Sequence, residues 1–368
     1  MVAYADGRID HRAASERLRD AATQKAVAAQ PVDVLIALET LARSCGIFAA
    51  SLDLTAHVRR AVDTASSRSN HVDHHLRSVV VAIHDGDRER AVARLDTSLA
   101  RVIGSDARAT TLAAYTDIWA GEPRSPRSTR VVDPIEQGIA NAAAGRGVLV
   151  YGPGPTDDLP ASCGKDPLVV RVMMPEVWMW PEAHDLARGR SDVAYMNFEA
   201  QGWLSGLDSA RRREVTSRFS FFVCKKTDSY IQGFTMPNMR LARAAAPLFL
   251  SGSENTVPAI VFDLLSFVEE DITIVGSTFF ASRIAYRDDS RRLRPVQGVT
   301  VNEQGSIGRP FERCSMLANH NALENRALVR NLVLAGHVNG DAGFTEVINW
   351  SDRAFMENLD EIYGFERI

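Results

Sequence analysis

The stretch GVLVYGPGPTDDLPASCGKDPLVVRVM, residues 147–173, decides the fold. An apolar strand runs straight into the turn Gly152-Pro153-Gly154-Pro155-Thr156, and a second apolar strand, PLVVRVM, follows at once. In an α/β protein, ligands bind at the carboxyl ends of strands, and a glycine turn lets backbone amides approach a phosphate or ribose. The run is neither a Gly-x-Gly-x-x-Gly fingerprint nor a P-loop, because no Gly-Lys-Ser/Thr follows. An ordinary tight turn is therefore the competing reading.

Downstream, GVLVYG, PLVVRVM, DVAYMN, FSFFVCK, APLFLSG and DITIVGSTFF read as strands in series, separated by segments long enough for crossover helices. That pattern predicts an open, largely parallel α/β sheet of the Rossmann-like kind. Upstream, from Arg12 to Trp119, apolar residues recur at three-and-four spacing, as in VDVLIALETLARSCGIFAASL and RERAVARLDTSLARVIG. These are amphipathic helices without a fixed repeat. The Pro/Ser/Arg-rich GEPRSPRSTRVVDP separates the two regions and predicts a linker. The expected organisation is a helical domain over 1–125 and a Rossmann-like, nucleotide-sugar-binding catalytic domain over 126–368. LVRNLVLAGHVNGDAG and WSDRAFMENLDEIYG read as closing helices, with Gly336 or Gly340 as a stop.

The 368 residues are 45% hydrophobic and 24% charged, an ordinary globular composition with a net charge of -4. The negative balance argues against nucleic acid as a partner, although all but Lys25, Lys165, Lys225 and Lys226 of the 42 basic side chains are Arg. Cys45, Cys163, Cys224 and Cys314 are widely spaced, which predicts reduced thiols. The polar N-terminus and the lack of an apolar run long enough for a transmembrane segment predict a cytoplasmic protein.

Three groups of residues carry candidate chemistry. In SGSENTVPAIVFDLL, Ser253 to Thr256 read as the start of a buried helix whose free amides and positive end suit a phosphate. A plain helix cap explains the same residues. In NHNALENRALVRNL, His320 stands at the start of a helix with Glu324 four residues on, so the carboxylate is placed to orient the imidazole as a general base. A capping His with a solvated Glu is the alternative. Arg171 and Asn197, near the ends of the second and third strands, belong to the same rim. His71, His74 and His75 lack a carboxylate-rich shell, so no metal site is expected there. His184 reads as a loop residue, and Trp178, Trp180 and Trp203 as core or as a wall for a sugar or base.

The order of these features resembles the eukaryotic-type sialyltransferase family. The strand ending in GPGP followed by VVRVM is similar to that family's long sialyl motif, SENTVPAIVFDLLSFVEEDITIVGSTFF to its short motif, and His320 with Glu324 to its His-x-x-x-Glu motif. Pro153 and Met174 stand where the family has Asn, and Tyr286 to Asp289 occupy the interval of its His-Tyr-Tyr-Glu motif. The resemblance, over about residues 147–335, implies a metal-independent inverting glycosyltransferase. It needs no cofactor beyond a nucleotide-sugar donor substrate. His320 would be the base, Glu324 its partner, and Gly152, Gly154, Thr156, Arg171, Asn197, Ser253 and Thr256 would hold the donor. Arg283 and Arg287 are further candidates for the leaving phosphate. The acceptor would be a hydroxyl on a glycan, protein or small molecule.

Two other readings stand beside it. One is a different nucleotide-using α/β transferase such as a methyltransferase, with Glu176 close to the ribose position. The other is a non-catalytic nucleotide-binding scaffold. No motif shows whether the helical domain recognises an acceptor, forms a homodimer or acts as a lid.

Overall fold

The computed structural model describes residues 11–100, 106–121, 133–154, 159–160, 163, 165–173, 192–225, 236–282, 317 and 319–363. The first part is helical: α1 (His11–Thr23), α2 (Lys25–Ala28), α3 (Val32–Ser44), α4 (Phe48–Arg68), α5 (Val72–His84), α6 (Arg88–Leu99) and α7 (Ala107–Ala120). Local chemistry sets several ends. Asp87 and Asp106 accept backbone N–H bonds at the starts of α6 and α7, and Gly121 closes α7 in the left-handed region.

After α8 (Pro134–Ala143) come β1 (Val148–Tyr151), β2 (Leu168–Met173), β3 (Val193–Met196), β4 (Phe221–Cys224), β5 (Met239–Leu241), β6 (Ile272–Val275) and β7 (Val338–Gly340). Between and after them lie α9 (Phe198–Gly206), α10 (Ser209–Thr216), α11 (Thr256–Leu265), α12 (Ala322–Leu334), α13 (Ala342–Asn349) and α14 (Asp352–Tyr363). The strands form one sheet in the order β5-β4-β3-β2-β1-β6-β7, and every neighbouring pair is parallel. The α/β Rossmann-like fold expected from the sequence is the observed one. Chain order reverses between β1 and β6, which makes the gap at their carboxyl ends the topological switch point.

Three expected elements differ. APLFLSG is not a strand: Ala246–Leu248 form a 3-10 turn with Pro247 near its start, and the sheet's edge is built from Met239–Leu241 instead. Val338–Gly340, read as helical, forms edge strand β7 after Gly336, at φ +85°, ends α12. DITIVGSTFF contributes only Ile272–Val275, because Gly276, Phe279 and Phe280 all take positive φ.

Alternation along the strands divides the core. Val148, Val150, Val170, Val193, Tyr195, Ile272 and Ile274 join a cluster with α8, α11 and α12, while Met173, Ala194, Met196, Phe222 and Cys224 pack on α9 and α10. The first cluster does not stop at the composition change. It runs from Phe48 and Leu76 through Tyr115 to Tyr363, and Tyr115 Oη donates to the Leu328 carbonyl while Asn331 Nδ2 donates to that of Ile83. The expected linker near residue 125 lies outside the described residues. The helical region and the sheet share one interior.

The start of α4 is capped from far away in sequence. Asp360 on α14 accepts N–H bonds from Phe48 at 2.7 Å and Ala49 at 3.0 Å. Among the described residues, no helix is long and apolar enough to cross a membrane.

Candidate active site

In a parallel sheet, each crossover helix starts beside the strand carboxyl ends, so the loops before α9, α11, α12 and α13 gather on one rim. That rim holds Gly152–Gly154, Asn197, Lys225, Ser251–Thr256, Gly276–Thr278, His320 and Asp341.

At the switch point, the two glycine turns lock to each other. Gly152 N–H donates to the Val275 carbonyl and Gly154 N–H to that of Gly276, both at 2.8 Å, while Gly276 N–H donates to Asp341 Oδ2 at 2.7 Å. A Cβ on Gly152 would lie 2.3 Å from the Gly276 oxygen, and one on Gly276, at φ +64°, 2.5 Å from the Gly154 oxygen. Glycine at both positions is what lets the backbones meet. Thr156 lies outside the described residues.

The short-motif turn and the His320 loop also meet. Ser253 N–H donates to the Asn319 carbonyl at 2.7 Å, Asn325 Nδ2 donates to the Ser253 carbonyl at 3.2 Å, and Asn255 N–H donates to Asn325 Oδ1 at 2.7 Å. Gly252, at φ +83°, makes room for this: a Cβ there would lie 2.8 Å from the Asn319 oxygen.

His320 is half-buried above this junction, with Nδ1 3.2 Å from Ser253 Oγ and 3.4 Å from the Ser253 carbonyl oxygen. A carbonyl only accepts, so Nδ1 carries the hydrogen and the Nε2 lone pair is available as a base. Ser253 Oγ donates in turn to the Asn319 carbonyl at 3.1 Å. Burial, and then the Lys225 cation, push the imidazole down to about 4, opposed by its bonds to the carbonyls of Ser253 and Glu254. His320 is neutral at neutral pH.

Glu324 does not orient His320. The histidine precedes Asn321, which caps α12 by accepting the Glu324 N–H, so the helical face relation of residues four apart does not extend to it. Glu324 turns inward and accepts the N–H groups of Leu250 at 3.1 Å and Ser251 at 3.4 Å. Burial, and next the Glu39 carboxylate, raise its pKa to about 8 against the pull of Arg43. Its expected role at the imidazole is taken by Ser253.

The other expected residues are dispersed. Arg171 is buried in the sheet, its guanidinium 4.6 Å from the Tyr151 ring centroid. Asn197 caps α9, accepting from Ala200 N–H at 2.9 Å, and Thr256 is the buried first residue of α11. Neither Arg171 nor Thr256 lies open on the rim. Glu176, Trp178, Trp180, His184, Arg283, Arg287 and Cys314 lie outside the described residues. Trp203 is half-buried against the α9–α10 cluster, and Cys45, Cys163 and Cys224 are free thiols. His71 caps α5 and His75 bonds the Ser69 carbonyl; among the described residues no group of His, Cys, Asp or Glu is arranged to hold a metal.

Sequence reasoning missed Lys225, although it ends the strand-like FSFFVCK where the strand-end rule would place a ligand contact. Its Nζ donates to the Glu254 carbonyl at 2.7 Å and lies 3.9 Å from the Glu254 carboxylate. Burial lowers its pKa, against the opposing pull of Glu254. Gly276 was legible by the same rule.

The chain matches no family model, no curated protein and no solved structure.

Proposed function

We propose that the chain is a metal-independent inverting glycosyltransferase that moves a sugar from a nucleotide-sugar donor to an acceptor hydroxyl, as its resemblance to the sialyltransferase family implies. The observation that carries the reading is the junction of Ser253 with His320. It joins two of the three resembling motifs across the fold, on the rim where the third also lies.

In this reading, the nucleotide occupies the switch point beside the Gly152–Gly154 turn. Nε2 of His320 takes the proton of the acceptor hydroxyl as its oxygen bonds the anomeric carbon. The bond from that carbon to the donor phosphate breaks, and the phosphate leaves with the electron pair. Attack opposite the leaving group inverts the anomeric centre. The Nδ1–H bond to Ser253 fixes the tautomer, and the Lys225 cation and the start of α11 favour the charge that develops on the phosphate.

Thermal unfolding in the presence of CMP, UDP, GDP, ADP and S-adenosylmethionine tests the reading, since a ligand bound only by the native state raises its apparent stability. A shift with one nucleotide, followed by transfer from the matching nucleotide sugar that disappears in His320→Ala, is the expected result. A shift with S-adenosylmethionine alone would point to a methyltransferase, a nucleotide shift without transfer would favour a nucleotide-binding scaffold, and no shift with any of them would overturn the reading.

A further inference from the structure

We propose that Arg43, on α3 of the N-terminal region, is a positioning residue for the His320 loop, so that the helical region completes the rim. The inference rests on the reading above only in calling His320 the base.

Arg43 is 1% exposed and divides its guanidinium among three segments. Nε and Nη2 grip Glu39 on the same helix at 2.6 and 3.1 Å. Nη1 donates to the Leu317 carbonyl at 2.6 Å, just before the His320 loop, and Nη2 donates to Ser251 Oγ at 3.0 Å, two residues before Ser253. Both strands of the Ser253–His320 junction are thus tied to one side chain from more than 200 residues upstream.

Ser251 is the hub of the attachment. Its hydroxyl also accepts from Asn321 Nδ2 at 2.9 Å and lies 3.3 Å from Glu39 and 3.4 Å from Glu324. The Arg43 cation faces the Glu39 anion, a Glu324 carboxyl that burial keeps protonated at neutral pH, and a neutral His84, itself lowered to about 3 by burial and the Arg59 charge. A buried charge with its partner fixed in this way holds one geometry, because letting go leaves an unpaired ion in the interior. A planar fork can reach Glu39, Leu317 and Ser251 together, whereas the single ammonium of Lys cannot.

The test uses the full chain carrying Arg43→Lys, with two readouts that need no substrate. One is titration of the His320 ring by NMR, its signal assigned by its absence in His320→Asn. The other is hydrogen exchange of the Ser251 and Ser253 amides. Arg326→Lys is the control: that buried Arg on α12 bonds the Val347, Ile348 and Trp350 carbonyls and Asp352 and makes none of the junction's bonds described above.

If Arg43 positions the loop, Arg43→Lys moves the His320 midpoint up from about 4 towards the ordinary imidazole range. The two amides then exchange about tenfold faster, a local opening that Arg326→Lys does not produce. If Arg43→Lys alters neither readout and lowers only the unfolding temperature, as Arg326→Lys does, Arg43 is structural and the proposal is overturned. Should Arg43→Lys fail to fold, Ser251→Ala, which keeps the charge and removes the hub, decides by the same two readouts. Because neither readout involves transfer, failure of the glycosyltransferase reading leaves this test intact.

Discussion

Nδ1 of His320 lies 3.2 Å from Oγ of Ser253, a residue 67 positions earlier in the chain. The bond selects the tautomer that leaves Nε2 unprotonated. His320→Ala is expected to lower transfer by about 10²- to 10⁴-fold, the usual worth of a general base. Ser253→Ala removes one hydrogen bond of about 1 kcal/mol and is expected to cost about fivefold. Steady-state rates of both variants check this.

For the proposed transfer reaction, the same geometry sets the expected acid limb. Only the neutral imidazole accepts a proton, so kcat/KM should hold down to about pH 4 and fall below it. A limb near the ordinary imidazole value would disagree with the burial of His320 beside Lys225.

Glu324 should set a stability trend in the opposite direction. Its ordinary value of 4.5 is raised to about 8 in the folded protein. Between those pH values the unfolded chain releases a proton that the folded chain keeps, so rising pH favours unfolding. Glu324→Gln keeps the acceptor for Leu250 and Ser251 but removes the titration. Urea unfolding should therefore show wild type losing ground to the variant from pH 4.5 to 8, by a few kcal/mol in all, and no further above that. His84 and His320, both lowered, act on the acid side, where falling pH below about 6.5 destabilises the fold. The comparison is therefore read above that pH, clear of His84, whose Nδ1 lies 3.9 Å from Glu324.

At the switch point, Gly152→Ala should destabilise the fold by about 1–3 kcal/mol, since its Cβ would meet the Gly276 carbonyl. Gly276→Ala adds the cost of positive φ to a similar clash. Chemical denaturation measures both. Gly145→Ala, at φ +71° with open space around the new Cβ, separates the backbone cost from the steric one.

Asp263 on α11 accepts from Tyr195 Oη, from Arg240 and from the Arg243 N–H, with Glu136 3.5 Å from Arg240. Asp263→Asn leaves a buried Arg short of its main counter-charge and is expected to cost about 3–5 kcal/mol. A calorimetric or denaturant midpoint close to wild type would show that Glu136 suffices.

The sheet was legible because its strands are short apolar runs, and β1 to β4 and β6 stand where those runs lie. The edges were not. Met239–Leu241 carries Arg240, whose partner Asp263 comes from a helix 23 residues on, so nothing local marks it as a strand. His320 and Ser253 were each legible as helix-start residues, but their meeting is a tertiary fact. The Glu324 expectation failed for a local reason: with Asn321 as the cap, His320 stands outside the helix. Arg43 was invisible because an Arg on an amphipathic helix looks solvated until its partners, Leu317 and Ser251, are placed around it.

The carboxylate that caps α4 is made 312 residues after the amide it binds. During synthesis the leading helices emerge with the Phe48 and Ala49 amides bonded to water, which Asp360 replaces only when α14 arrives. The N-terminal region therefore gains this cap only when the C-terminal helix docks, at a cost before then of about 1 kcal/mol to that helix start. A pause or a chaperone acting before residue 360 would hold the chain with its first large helix still open at one end.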